Sequence, residues 1–223
     1  MQFFLDTASI EQIKIWKEKG LVDGVTTNPT LLSKEGLEPV DQLKAICKII
    51  KGPVSAQVTE TKAKKMIQQA SQLKKISKNI IIKLPSTIEG LLAAKVLTKK
   101  KIKTNITLGF DPSQIIAFAR LNVTYFSLIL GKTEDWGFSN VISISETKKI
   151  INNLNSKTKL LVASIRNTTH LKESILNGAD VLTVPPSTWA EVYKNKYTVI
   201  GENDFQKNWI SLPKGLRKKY EII

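Results

Sequence analysis

The sequence repeats one pattern along most of its length: a short apolar strand, a polar turn and an amphipathic helical stretch. Such alternation is typical of right-handed βαβ units whose strands pair in parallel. Eight repeats within 223 residues predict an α/β fold with one domain, the (β/α)8 TIM barrel. The predicted strands are Gln2–Leu5, Gly24–Thr26, Val54–Val58, Ile80–Lys83, Thr104–Leu108, Tyr125–Leu130, Leu160–Ala163 and Val181–Val184. The predicted helices are Ile10–Lys19, Val40–Ile50, Lys62–Ile76, Ile88–Thr98, Pro112–Leu121, Glu146–Leu154, Thr168–Leu176 and Ser187–Tyr193.

The last part of the chain continues beyond the eighth repeat. Helical patterns cover Glu202–Ile210 and Pro213–Tyr220. Because a barrel of eight units is already complete at this point, we expect these helices to lie outside it. The sequence therefore predicts one domain over residues 1–223, in which 202–223 form a C-terminal helical extension.

Composition excludes several classes of protein. His170 is the only histidine and Cys47 the only cysteine, so neither an internal disulfide nor a usual protein-held zinc site is expected, and we predict no metal. No apolar run reaches the roughly 18 residues that a membrane span needs. The start, MQFFLDTAS, lacks the basic and apolar regions of a secretory signal. The expected location is the cytoplasm, with no membrane partner.

The net charge of +15 raises the question of a nucleic-acid partner. The basic clusters Lys99–Lys101 and Arg217–Lys219 lie near the ends of predicted helices, where cations suit the helix dipole. They are accompanied by no aromatic RNA-binding motif, zinc-finger spacing or basic zipper. We therefore predict solvated surface rather than a nucleic-acid site, and the same charge is compatible with a basic cleft for phosphorylated substrates.

Lys83 stands in a stretch that otherwise reads as a buried strand, NIIIKLP. An isolated lysine at a strand end is often a solvated rim residue. A buried lysine near other cations instead loses proton affinity and becomes a nucleophile, which is what a Schiff base with a carbonyl substrate requires. The residues at the other strand ends decide between these two interpretations.

Most of the predicted strands end in polar or charged residues that their apolar stems do not require. In a parallel barrel these ends converge on one mouth, where active sites lie. Asp6 read alone could be a helix N-cap, and Asn28 before Pro29 could be a turn. Together the residues describe a catalytic pocket and favour an imine-forming Lys83. The set is Asp6, Thr26, Thr27, Asn28, Gln57, Lys83, Asn105, Thr107, Ser127, Ser164 and Arg166.

Six segments then resemble one known family. FFLDTAS, LVDGVTTNPTLLSKEG, GPVSAQV, IIIKLPST, IKTNITL and LLVASIRN are similar, in order, to segments of the small transaldolases and the related fructose-6-phosphate aldolases. The resemblance runs nearly from end to end. It implies a TIM barrel, class I Schiff-base chemistry without a cofactor, and a homo-oligomer. Such oligomers are pentamers or decamers in which the C-terminal helix packs against a neighbouring subunit.

The resemblance also implies roles for individual residues. Lys83 corresponds to the Schiff-base lysine, and Asp6 to the aspartate that handles the proton of the sugar hydroxyl when the carbon–carbon bond breaks. Thr107 corresponds to a threonine that helps to hold the catalytic water. Arg166, beside Ser164, corresponds to the arginine that holds the substrate phosphate. The residues expected to line the dihydroxyacetone pocket are Thr26, Asn28, Asn105 and Ser127.

Three positions depart from the family pattern. Gln57 stands where transaldolases carry a glutamate, and it matches the aldolase branch; an amide orients a water but does not shuttle protons at neutral pH. Ile129 matches neither the phenylalanine of transaldolases nor the tyrosine of the aldolases. Lys132 replaces the family's arginine and keeps the positive charge, without the bidentate geometry.

Asn105, Ser127 and the segment ASIRN follow the transaldolase branch, and Gln57 follows the other. The favoured function is transfer of a dihydroxyacetone unit from fructose 6-phosphate or sedoheptulose 7-phosphate to erythrose 4-phosphate or glyceraldehyde 3-phosphate, as in the pentose phosphate pathway. One alternative is a fructose-6-phosphate aldolase that releases free dihydroxyacetone. A second is a non-catalytic basic binding protein on a barrel scaffold.

Overall fold

Eight parallel strands close into a barrel in the computed structural model, which describes residues 1–218 and 220. Each strand pairs with its neighbour in the chain, and the eighth returns to the first, with Gln2 opposite Val181. The strands are β1 (Gln2–Asp6), β2 (Gly24–Thr26), β3 (Val54–Gln57), β4 (Ile80–Pro85), β5 (Thr104–Gly109), β6 (Tyr125–Ile129), β7 (Lys159–Ala163) and β8 (Val181–Val184). The predicted TIM barrel is confirmed.

Helices follow every strand and cover the outside of the barrel. They are α1 (Ile10–Glu18), α2 (Pro29–Lys34), α3 (Pro39–Ile49), α4 (Ala63–Ile76), α5 (Ile88–Lys99), α6 (Ile115–Arg120), α7 (Ile142–Asn153), α8 (Thr168–Leu176), α9 (Pro186–Val192), α10 (Lys196–Ser211) and α11 (Lys214–Arg217). Short 3-10 helices occupy Pro112–Gln114 and Gly131–Trp136. Within the described residues, no helix is long and apolar enough to cross a membrane.

The interior of the barrel is built in layers because every second strand residue points inward. A lower layer is apolar and consists of Phe4, Ile81, Tyr125, Leu161 and Val181. The positions two residues further along the same strands are Asp6, Lys83, Ser127, Ala163 and Thr183. The outward-facing residues Ile80, Ile82 and Leu84 belong instead to the larger core beneath the helices. Alternation thus places a mostly polar layer directly above an apolar floor.

The structure contains one helix that was not predicted, and two predicted helix starts were wrong. Residues 29–34 form α2, which was not predicted. The Asn28 side chain caps this helix by accepting a hydrogen bond from the Leu31 N–H at 2.9 Å, and the cap favours its formation. Helix α10 begins at Lys196 rather than Glu202, since Asn195 caps it in the same way through the Tyr197 N–H. Helix α7 begins at Ile142 rather than Glu146. Residues 219 and 221–223 lie outside the described part of the chain. They belong to the predicted extension 202–223, and residue 219 also belongs to the predicted helix 213–220 and to the basic cluster 217–219.

Candidate active site

A cavity of about 450 Å³ opens at the carboxyl ends of the strands. Its volume lies within the usual range for small-molecule sites. The predicted site residues that line it are Asp6, Thr26, Asn28, Gln57, Lys83, Thr107, Ser127, Lys132 and Ser164. The structure thus brings together residues from seven of the eight strands or the loops that follow them. Thr27, Asn105 and Arg166 do not line this cavity.

Lys83 lies in the polar layer near the middle of β4, with Gln57 of β3 and Asn105 of β5 opposite it in register. Its side chain is buried, and its Nζ donates a hydrogen bond to the Thr27 carbonyl at 3.3 Å. Burial lowers the pKa of the Lys83 amine, and the charge of Asp6 partly opposes that shift. The environment therefore favours the neutral amine, which is the nucleophilic form.

Asp6 ends β1 and shares the cavity with Lys83. The Thr26 hydroxyl donates a hydrogen bond to Asp6 Oδ1 at 2.7 Å, and it lies 2.5 Å from the hydroxyl of Thr183. Burial raises the pKa of the Asp6 carboxyl, while Lys83 and the Thr26 hydrogen bond lower it. A raised pKa brings the titration of the carboxyl group closer to neutral pH than that of a free carboxyl group, which suits a general acid–base group. Asp6 is not a helix cap, since Ser9 caps α1.

Asn105 lies beneath the cavity and is completely buried. Its Nδ2 donates to the Ser55 hydroxyl at 3.2 Å, and its Oδ1 accepts from the Ser127 hydroxyl at 2.7 Å. Both ends of the amide are therefore used inside the barrel. Asn105 is placed to orient Ser127, which does line the cavity.

Thr107 points into the cavity two residues after the inward-facing Asn105, and an irregularity in β5 follows it. The register between β5 and β6 shifts between Ile106 and Gly109, and Leu108 has a φ of +61°. A bulge of this kind bends a strand and redirects its side chains, and bulges are over-represented next to active sites. Thr107 is buried, whereas Leu108 is partly exposed at the rim of the cavity.

A second residue with positive φ lies at the end of β7. Ser164 has a φ of +60° and lines the cavity. The other non-glycine residues with positive φ in the described chain, Lys101, Asn122 and Asn155, each follow a helix C-cap, where the left-handed conformation is common. Leu108 and Ser164 have no such helix to end. Their strained backbones are a second reason to take the mouth of the barrel as the candidate site.

Arg166 lies outside the cavity wall, where its guanidinium binds the carboxylate of Asp135. Nη1 donates to Oδ1 at 2.5 Å and Nη2 to Oδ2 at 2.8 Å. These hydrogen bonds lower the pKa of Asp135. Lys132, three residues before Asp135, does line the cavity. Of the two predicted phosphate ligands, Lys132 therefore lines the cavity and Arg166 does not.

Thr183 is a polar residue of the cavity wall that sequence reasoning missed. It lines the cavity and its hydroxyl meets that of Thr26, which holds Asp6. The apolar run VLTV reads as a strand covered on both faces, so its threonine did not stand out. Alternation along the strand gives the signal, because Thr183 follows the inward-facing Val181 by two positions.

Metal-ligating side chains are not clustered in the described part of the chain. Among residues 1–218 and 220, no group of three or more His, Cys, Asp or Glu is arranged to hold a metal ion. The polar groups of the cavity are two amines, a carboxylate, amides and hydroxyls.

One family of known proteins resembles this chain over most of its length. The family described as Transaldolase/Fructose-6-phosphate aldolase matches residues 3–212. A "Probable transaldolase" of Caulobacter vibrioides is 40% identical over 211 residues, covering 95% of this chain and 97% of that protein. Proteins with the same name from Methanococcus vannielii and Thermodesulfovibrio yellowstonii are 43% and 42% identical. They match 94% and 96% of this chain and 97% and 100% of their own lengths.

A crystal structure assigned to a phosphonomutase from Burkholderia cenocepacia J2315 superimposes with a TM-score of 0.59. The alignment covers 90% of this chain and 93% of that one, at 11% sequence identity. At so low an identity, the similarity concerns the barrel fold alone.

Proposed function

The chain belongs to the transaldolase/fructose-6-phosphate aldolase family, and we propose that it is a transaldolase acting through a Schiff base on Lys83. The observation that carries the proposal is a buried lysine with a lowered pKa that shares a cavity with Asp6. A neutral amine is the form that attacks a carbonyl carbon, and burial favours that form.

In the proposed first half-reaction, the Lys83 amine attacks the C2 carbonyl of fructose 6-phosphate and loses water to form an imine. Asp6 then takes the proton of the C4 hydroxyl while the C3–C4 bond breaks. The bonding electrons pass into the imine and give an enamine, and glyceraldehyde 3-phosphate leaves. Asp6 suits this step because its raised pKa lies closer to neutrality than that of a free carboxyl group.

In the second half-reaction, the enamine carbon attacks the aldehyde carbon of erythrose 4-phosphate. Asp6 returns its proton to the new hydroxyl, and water hydrolyses the imine to release sedoheptulose 7-phosphate and free Lys83. Thr107 and Gln57 line the cavity near Lys83 and are proposed to hold the water of the imine steps. Ser127, oriented by Asn105, and Asn28 supply polar groups for the dihydroxyacetone unit.

The phosphate of either substrate is proposed to lie at the side of the cavity formed by Ser164 and Lys132, with Arg166 nearby. An ammonium group and a guanidinium group are the usual protein partners of phosphate. Substrates of this kind place the reaction in the pentose phosphate pathway. Sugar phosphates are charged and do not cross a membrane unaided. An enzyme that uses them is therefore expected in the cytoplasm.

The proposal is tested by supplying fructose 6-phosphate with and without erythrose 4-phosphate. A transaldolase forms sedoheptulose 7-phosphate with the acceptor and releases little dihydroxyacetone without it. Fast release of free dihydroxyacetone in the absence of the acceptor would instead identify an aldolase.

Gln57 is the observation that favours the aldolase as a second candidate, whereas Ile129 matches neither branch. Both line the cavity, and neither is the residue of the transaldolase branch. An amide at position 57 positions a water without relaying its protons. Such a site is expected to transfer the dihydroxyacetone unit slowly and to show little pH dependence from residue 57.

We expect Gln57→Glu to accelerate transfer to erythrose 4-phosphate, because a carboxylate at this position would relay protons through the water. The gain should be about 10²-fold, the lower end for a positioned general acid–base group. Steady-state rates across pH should also show a new acidic limb from the added carboxyl group. Gln68→Glu is the matched control, since it adds the same charge on the exposed face of α4. A slower Gln57→Glu variant without a new ionisation would place residue 57 away from the catalytic water.

The alternative that is not an enzyme is a basic binding protein that has lost catalysis. Its support is the net charge of +15, together with the departures from the family pattern at Gln57, Ile129 and Lys132. It predicts polyanion binding that falls steeply with salt. It also predicts no covalent adduct on Lys83, so the lysine experiments in the Discussion separate it from both enzymes.

A homo-oligomer, pentameric or decameric, is proposed from the surface of the C-terminal helices. Helix α10 has no buried residues, and it exposes Tyr197, Val199, Ile200, Phe205 and Ile210. Several large apolar side chains exposed on one helix are expected at an interaction site. A groove of about 860 Å³ between α1 and α9, walled partly by Trp16 and Tyr193, adds a second uncovered apolar surface. A second copy of the chain is the occupant that we propose for this region.

We expect Phe205→Glu to reduce the assembly, because Phe205 is 78% exposed and a charge in an apolar interface is costly. Sedimentation velocity should show a wild-type mass five or ten times that of one chain and a smaller species for the variant. Leu176→Glu on α8 is the control, since Leu176 is also highly exposed, at 71%. A monomeric wild type, or equal loss of assembly in both variants, would contradict the proposal.

A further inference from the structure

The segment Gly131–Trp136 and the loop that contains Arg166 are joined by two adjacent carboxylates. Asp135 binds the Arg166 guanidinium through both of its oxygens. Glu134 Oε1 lies 2.7 Å from His170 Nε2, and His170 Nδ1 accepts a hydrogen bond from the Arg166 backbone N–H at 3.3 Å. His170 is buried, so its ring is fixed between the two segments.

The backbones of the two segments are held independently of the guanidinium. The N–H groups of Leu130 and Gly131 donate to the carbonyls of Ala163 and Ser164, each at 2.9 Å. A Cβ at Gly131 would lie 2.4 Å from the Ser164 carbonyl and 2.8 Å from the Arg166 side chain, so only glycine allows this approach. The Arg166 guanidinium can therefore leave Asp135 by side-chain rotation alone.

The ion pair between Asp135 and Arg166 lies at the surface. The Arg166 side chain is 41% exposed and that of Asp135 is 51% exposed, so an anion from solvent reaches the guanidinium. A carboxylate and a phosphate monoester bind the fork of an arginine in the same bidentate manner. Two anions would therefore compete for the same donors of Arg166.

We propose that Asp135 is an internal competitor for the phosphate site: it holds Arg166 outside the cavity in the free protein, and the substrate phosphate displaces it. The inference rests on the proposed function, in which Arg166 binds the phosphate of the sugar. Its structural basis is that Arg166 does not line the cavity, whereas Lys132 and Ser164 do. Release from Asp135 lets the guanidinium join these two residues around the phosphate. The exchange makes Asp135 a determinant of affinity for phosphorylated substrates.

The test measures binding of inorganic phosphate to the full chain by calorimetry, in the wild type, Asp135→Asn, Arg166→Ala and the double variant. We expect Asp135→Asn to bind phosphate about fivefold more tightly, which corresponds to the upper value for an exposed ion pair. The KM for fructose 6-phosphate should fall by a similar factor. Arg166→Ala should weaken phosphate binding, and Asp135→Asn should bring no gain in the Arg166→Ala background.

Asp41→Asn is the matched control. Asp41 also forms an exposed ion pair, with Lys44 at 2.9 Å, and its replacement changes the net charge by the same amount. Weaker phosphate binding by Asp135→Asn would make Asp135 a support for Arg166 and overturn the proposal. A gain that persists without Arg166, or that Asp41→Asn reproduces, would also overturn it, because the effect would then be general electrostatics.

Failure of the proposed function is recognised separately. Borohydride reduction with free dihydroxyacetone tests the imine on Lys83 and needs no phosphate contact. If no adduct forms while the four proteins bind phosphate in the expected order, the proposed Schiff-base reaction is wrong. The proposed displacement of Asp135 from Arg166 by phosphate is then still supported. If the adduct forms and the order differs, the exchange is wrong and the reaction stands.

Discussion

Lys83→Met is expected to lose essentially all transfer activity, on the order of 10⁶-fold, as happens when other enzymes lose a catalytic nucleophile. Both half-reactions pass through a covalent bond to this amine, so no other group supplies an alternative route. Methionine is unbranched and apolar, and Lys83 stands in a strand of isoleucines and leucine. The variant should therefore fold with the circular dichroism spectrum of the wild type.

The same variant decides where the covalent bond forms. Borohydride added with fructose 6-phosphate should attach a reduced dihydroxyacetone unit to a peptide containing Lys83 in the wild type, and to no peptide in Lys83→Met. Lys132→Met is the matched control, because Lys132 lines the same cavity but is exposed. It should weaken substrate binding and still form the adduct. Labelling of another lysine in the wild type, or of Lys83→Met itself, would show that Lys83 is not the nucleophile.

Asp6→Asn should lower the rate of carbon–carbon bond cleavage by about 10²–10⁴-fold, the usual contribution of a positioned acid–base group. Asparagine keeps an oxygen that accepts the hydrogen bond from Thr26 and loses the ability to take the C4 hydroxyl proton. Imine formation should continue, because it depends on the Lys83 amine. Single-turnover measurements should accordingly show the adduct without release of glyceraldehyde 3-phosphate.

The pH dependence of adduct formation gives a second result for the same variant. Burial lowers the pKa of Lys83 and the negative charge of Asp6 raises it, so removing that charge should lower the Lys83 pKa further. Imine formation requires the neutral amine, which exists above this pKa. The acidic limb of the trapping rate should therefore move to lower pH in Asp6→Asn. A limb that moves to higher pH, or does not move, would show that the two groups do not interact as the structure implies.

The barrel itself could be predicted from the sequence because its signals are local. Each strand is a short apolar run, each helix has its own periodicity, and their alternation leaves few possible topologies. The polar residues that end the strands were predicted to meet for the same reason, since parallel strands bring their carboxyl ends to one mouth. Lys83, Asp6, Gln57 and Ser127 do line one cavity. Their proposed roles await the experiments.

Local signals were weakest where a cap or an irregular backbone decides the structure. Helix α10 begins six residues before its predicted start, because the Asn195 side chain caps it at a point with no strong apolar periodicity. The bulge at Leu108 and the positive φ of Ser164 have no sequence signal, since neither residue is glycine or asparagine. Both conformations depend on the strands packed beside them.

The sequence by itself determined the order of strands and helices, the closure of eight units into a barrel, and the end of the barrel at which the polar residues meet. These properties follow from a period of two residues in strands and 3.6 in helices, and from the parallel direction of the strands. Only the tertiary structure decided how side chains distant in the sequence share partners. It buries Asn105 beneath the cavity, joins Thr183 to Thr26, and pairs Arg166 with Asp135 rather than directing it into the cavity. Contacts of this kind depend on distances and directions between separate strands and loops, which no local periodicity encodes.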